Sequence, residues 1–138
     1  MKLDEFREKI EIKATASLKK YVIAKLKNCP ATLEKVFALI QDGREITVIA
    51  EENHGLETIG EEKSFRLVSF ETKLPFELTG FLAHIATLLA EKNISIFAIS
   101  AYSTDHILVK EDCLEKTLKI FRADGVKIIR NQTTIRTC

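Results

Sequence analysis

The order of apolar patterns between residues 65 and 130 constrains the fold more than any other feature of this chain. Residues 65–71, Phe-Arg-Leu-Val-Ser-Phe-Glu, are short and β-prone and stop ahead of Pro75, which predicts a strand. Residues 80–93 place Phe81, Leu82, Ile85, Leu88 and Leu89 on one stripe of the 3.6-residue period. That stripe predicts a helix, with Thr79 as its N-cap and Asn93 at its end. Residues 94–101, Ile-Ser-Ile-Phe-Ala-Ile-Ser-Ala, read as a second strand. Ser103, Thr104 and Asp105 form a tight turn into a third strand at 106–110. Asp112 is placed to cap a second helix carrying Leu114, Leu118 and Phe121 on one face. Gly125 stops that helix, and residues 126–130 give a last strand.

The order is β-α-β-β-α-β, an α+β arrangement of the ferredoxin-like kind. The strand at 94–101 is apolar at 94, 96 and 98 and again at 97, 99 and 101, so both of its faces ask for cover. Two helices cover one side of so small a sheet. The other side calls for the N-terminal half, a second copy of the chain, or both, and a homodimer is the commonest closed assembly.

The first half is less regular. Residues 10–14 and 20–26 read as strands, 32–40 as a helix or helical turn, and 45–50 as a cleanly alternating strand. Residues 53–63 hold two glycines among several acids and read as a loop between the halves. The expected organisation is residues 1–60 as a shortened N-terminal half and 61–138 as a complete domain.

Twenty-one basic and 20 acidic side chains leave a net charge of +1. Such a balance offers no electrostatic reason to expect a nucleic acid or an anionic membrane as partner. No apolar run approaches the ~18 residues of a membrane span, and the charged start carries no secretory h-region. Cys29, Cys113 and Cys138 are far apart and without a CxxC pair, which suits reduced thiols of a cytoplasmic protein and neither a disulfide framework nor a metal site.

One stretch is similar to a known family. From Leu78 the sequence runs LTGFLAHIATLLAEKNISIFAISAYSTDHILVK, which resembles an ACT domain of the aspartokinase-like and CASTOR-like branch. The glycine, the Ser-Thr-Asp turn and the Ile-Leu-Val run stand in that family's order over residues 64–123, and the N-terminal strands fit only in outline. The resemblance implies a small regulatory, allosteric protein: a complete ACT domain preceded by a shortened ACT-like half, binding an amino acid where ACT units meet. Carried over residue by residue, it implies a site with Thr79, Gly80, Phe81 and Leu82 on one wall and Ser100, Tyr102, Ser103, Thr104 and Asp105 on the other. It implies no cofactor.

The chemistry of those residues agrees. Unpaired N–H groups at a helix start favour a carboxylate, glycine lets backbone approach a ligand, and Asp105 can accept hydrogen bonds from an ammonium. Asp105 equally suits any tight turn, Gly80 any close helix packing, Thr79 a plain cap and Tyr102 an interface. No phosphate loop, GxSxG, HExxH or GxGxxG is present, and His54, His84 and His106 lack paired spacing, so no catalytic residue is expected. His84 reads as a solvated helix residue, and His106 as a possible neighbour of the site. An interaction module without a ligand would use the same fold.

Overall fold

The computed structural model describes residues 1–130, without the side chain of Arg130. Cys138 lies outside the described residues. The described residues divide into two compact units, one built from residues 1–18 and 66–130, the other from Lys19–Phe65.

The first unit begins with a helix the charged start did not announce, α1 (Leu3–Lys9), which buries only Phe6. A long strand follows, β1 (Lys13–Leu26), whose first part belongs to this unit. The two strands expected at 10–14 and 20–26 are thus one element. The polar run around Leu18, 64 % exposed, hides its continuity from a pattern reading. The end of β4 (Thr58–Phe70), α2 (Phe81–Ala90), β5 (Phe97–Ser100), β6 (Asp105–Lys110), α3 (Leu114–Ala123) and β7 (Lys127–Arg130) complete the unit. This is the ferredoxin-like β-α-β-β-α-β order. In the sheet, β5 is at the edge and pairs with β6, which pairs with β4. The last strand does not return to β4. It pairs in parallel with β1, Lys13 opposite Lys127 and Ala14 opposite Ile128, so the start of β1 lies between β4 and β7.

Both helix ends are fixed by left-handed residues. Val126 N–H donates to Phe121 O (2.9 Å) and Gly125 N–H to Arg122 O (3.0 Å), with Gly125 at φ 95°. The same pair of bonds closes α2 through Asn93 at φ 58°, Ile94 N–H to Leu89 O and Asn93 N–H to Ala90 O. The second helix opens without a side-chain cap. Asp112 lies in a single 3-10 turn, Glu111–Cys113, ahead of Leu114.

The core forms between the helices and one sheet face. Ala14, Ala16, Val68, Phe70, Ile107 and Val109 come from alternate strand positions, and Phe81, Ile85, Leu89, Leu118 and Phe121 from the helix stripes. The strand read as apolar on both faces is only half covered. Phe97 and Ile99 are partly exposed, and Ala98 and Ser100 are exposed.

The second unit holds the rest of β1, the start of β4 and a hairpin of β2 (Val36–Gln41) and β3 (Ile46–Glu51). The helix expected at 32–40 is therefore a strand. Its apolar run faces the alternating residues of β3, and Asp42-Gly43 provides the turn that a helix would lack. The Asp42 carboxylate accepts from the N–H groups of Arg44 (2.9 Å) and Glu45 (3.0 Å), which holds its pKa below the usual carboxylate value. Val22, Ala24, Leu26, Val48 and Ala50 form this unit's small core. The expected loop at 53–63 ends early, because β4 starts at Thr58. Most of its residues up to Ser64 are exposed, so no apolar alternation betrays the strand. His54 closes the shortened loop. Its Nδ1 accepts from Leu56 N–H (2.8 Å), which leaves Nε2–H to donate to Glu61 (2.6 Å). Cys29 is exposed, while burial pushes the Cys113 thiol pKa up.

Candidate functional site

In the first unit a cleft of about 290 Å³ opens where the start of α2 meets the turn between β5 and β6. Three backbone bonds shape it. Ala101 N–H donates to Thr104 O (2.8 Å) and tightens the turn, Leu74 N–H donates to Ser103 O (2.7 Å), and Leu78 N–H donates to Pro75 O (3.0 Å). The 74–78 segment is thereby laid along the turn as a third wall.

Gly80 is the N-cap of α2 with φ 88° and ψ −2°, and no side chain caps the helix. A Cβ at this position would meet no atom, so the left-handed backbone and not crowding calls for glycine. The first helical bond runs from His84 N–H to Gly80 O (2.9 Å). The N–H groups of Phe81, Leu82 and Ala83 precede it in the helix start, and all three residues line the cleft. Asp105 faces them from β6. It pairs with Ser100 and shares the helix-side face of the sheet with Ile107 and Val109.

Of the residues expected at the site, Gly80, Phe81, Leu82, Ser100, Tyr102, Ser103, Thr104 and Asp105 all line this cleft. Thr79 does not. Its N–H (2.8 Å) and its hydroxyl (3.2 Å) both donate to Met1 O, so it ties down the N-terminus and is not the N-cap. The sequence reading missed Ala83 and Ala101 on the two expected walls, and Leu74, Pro75, Phe76 and Leu78 beside them. The available signal was an aromatic next to Pro75 in a loop, since Phe76 is 75 % exposed and its ring meets that of Tyr102 edge-on at 4.9 Å. No lysine, arginine or histidine is among the lining residues.

The histidines of this unit serve elsewhere. His84 is not simply solvated. Its Nε2 lies 2.8 Å from Asp124 Oδ2, and Arg7 holds the same carboxylate at 2.9 Å and Asp124 O at 2.6 Å. His106 lies between Ser69 Oγ (2.8 Å from Nδ1) and Thr104 Oγ1 (3.2 Å from Nε2), outside the cleft lining. Burial pushes its pKa below the ordinary 6.5, against the pull of Glu71 and Asp105. A depressed pKa means that the unfolded chain takes up the proton first. The stability tied to neutral His106 is complete above about pH 6.5 and is lost as pH falls from there through the folded value. Urea unfolding at pH 7.5 and 5.5 is expected to show that fall, and to show less of it in His106→Gln.

Among the described residues no group of three or more His, Cys, Asp or Glu side chains is placed to hold a metal ion. No helix there is long and apolar enough to cross a membrane.

The ACT domain family model matches residues 61–123, the stretch that carries both cleft walls and both helices of the β-α-β-β-α order. This segment is an ACT domain. ACT domains are regulatory modules of the ligand-binding type, and the fold around this one extends beyond the matched segment. A protein from Agrobacterium tumefaciens superposes with a TM-score of 0.77 at 21 % identity, over 93 % of this chain and 99 % of its own. A Vibrio cholerae protein of unknown function gives 0.67 at 22 %, over 83 % and 91 %. The regulatory subunit of aspartate kinase from Thermus thermophilus, in its ligand-free form, gives 0.58 at 13 %, over 80 % and 94 %. At these identities the likeness is one of fold. No curated protein sequence matches the chain.

Proposed function

We propose that this is a cytoplasmic, non-enzymatic regulatory protein whose ACT domain binds a free amino acid, or a close analogue, in the cleft between Gly80 and Asp105. The observation that carries the reading is the pairing of opposite polarities across a small cleft. Uncapped N–H groups of Phe81, Leu82 and Ala83 suit the α-carboxylate, and the lone carboxylate of Asp105 suits the α-ammonium. Ser100, Tyr102, Ser103 and Thr104 complete the polar wall, with Thr79 holding the entry to the helix from outside. In this reading residues 1–60 are a shortened ACT-like half and 61–138 the ACT domain.

The half-covered edge strand β5 supports a homodimer, because an edge that pairs with no further strand among the described residues, with Phe97 and Ile99 partly exposed, invites cover from a second chain. Sedimentation at micromolar concentration is expected to give twice the 15.6 kDa of the single chain. A clean monomer counts against it.

A thermal-shift series over the twenty amino acids tests the ligand. At 100 times its dissociation constant, a ligand adds about 2.7 kcal/mol to the folded state, several degrees in melting temperature. No shift at millimolar concentration would favour the second reading, an interaction module without ligand, for which the exposed Phe76 and Tyr102 would be the contact.

A further inference from the structure

We infer that the ligand of this cleft carries an aromatic side chain, received by Phe76 and Tyr102. The inference rests on the amino-acid reading above and names the class of amino acid. Phe76 and Tyr102 are 75 % and 81 % exposed, yet their rings are in edge-on contact at 4.9 Å. Single exposed apolar residues need no explanation, but two touching aromatics at the mouth of a cleft form a preassembled apolar surface. Beneath them Leu74 and Leu78 pack on the core, so the wall has a fixed floor and an uncovered rim.

Charge decides between ligand classes. Asp105 is the one ionisable carboxylate of the lining, and the α-ammonium takes it. A lysine or arginine ligand would bring a second cation with no counter-charge left. An acidic ligand would bring a second carboxylate to a cleft whose lining holds no basic side chain. A small ligand such as serine or alanine would leave the aromatic rim as open as it stands. An aromatic side chain satisfies all three conditions, since a third ring can stack on or meet edge-on the two already paired. The size agrees, because about 290 Å³ holds a single metabolite and little more.

Calorimetric titration of the whole protein with phenylalanine, tyrosine, tryptophan, alanine, threonine, lysine and aspartate tests this. At least one aromatic amino acid is expected to bind tenfold or more tightly than alanine. Phe76→Ala and Tyr102→Ala should each weaken its binding by about tenfold, with the unliganded melting temperature unchanged because both rings are exposed. Lysine, threonine or aspartate binding more tightly than every aromatic amino acid would overturn the inference and leave the amino-acid reading standing. Absence of binding by all three aromatic amino acids would overturn the inference, and absence of a thermal shift with any of the twenty amino acids would remove the amino-acid reading with it. Phe76→Ala or Tyr102→Ala altering sedimentation while aromatic affinity stays the same would make the pair a contact between copies, and would also overturn it.

Discussion

Phe70→Ala is expected to lower the unfolding free energy by about 3–5 kcal/mol, enough to cost the protein roughly 10–20 °C of melting temperature. Phe70 has no exposed surface and stands at the end of β4, where its ring meets Phe81 of α2 at 5.0 Å and Phe121 of α3 at 5.4 Å. One side chain therefore joins the sheet to both helices of the ACT domain. Truncation removes its own burial and leaves a cavity between three rigid elements, each held by its own backbone bonds and slow to collapse into the space. Phe76→Ala is the matched control. The same atoms are deleted from a ring that is 75 % exposed, and stability should change by about 0.5 kcal/mol or less. Urea unfolding of the two variants separates burial from residue type. A loss below about 1 kcal/mol for Phe70→Ala would mean that α2 and α3 close over the gap, and that the core does not depend on this junction.

The elements around Phe70 were readable in the sequence because each carries a pattern tied to its geometry. Phe81, Ile85 and Leu89 return every turn of α2, while Ile107, Leu108 and Val109 of β6 form a short buried apolar run between a turn and Lys110, too short for a helix. The same is true of the cleft, whose glycine and Ser-Thr-Asp turn are local signals of local conformations. What failed lacks such signals. Residues 36–41 are an apolar run short enough for either a strand or a helical turn, and their pairing with β3 decides it. Residues 58–63 are mostly exposed and so carry no periodicity at all. The insertion of β1 between β4 and β7 is a pairing between residues more than a hundred positions apart, and no window of sequence contains it. Thr79 is a lesson of another kind. A threonine before a helix has the chemistry of an N-cap, but Gly80 in the left-handed region takes the cap position one residue later and frees the hydroxyl for Met1. The third wall of the cleft was missed for the same reason as the long-range pairing, since the 74–78 segment reaches the turn only through the bond from Leu74 to Ser103.

Asp105→Asn should weaken ligand binding by roughly tenfold to a hundredfold while leaving the unliganded fold almost as stable as before. The substitution keeps size and shape and removes only the charge. A hydrogen bond to a charged group contributes about 1.5–3 kcal/mol, and the ammonium of the ligand would lose that with nothing in the lining to replace it. The fold has little reason to respond. Asp105 begins β6 opposite Ser100, its backbone pairing does not involve the carboxylate, and the turn before it is closed by Ala101 and Thr104 main-chain atoms. A carboxylate that served only the turn predicts the opposite pattern, unchanged affinity with any effect confined to stability. Calorimetric titration and urea unfolding on the one variant distinguish the two. An unchanged dissociation constant would remove Asp105 as the anchor. The ammonium would then have to be held by the oxygens of Ser100, Ser103 and Thr104, and the charge argument against basic ligands would lapse with it.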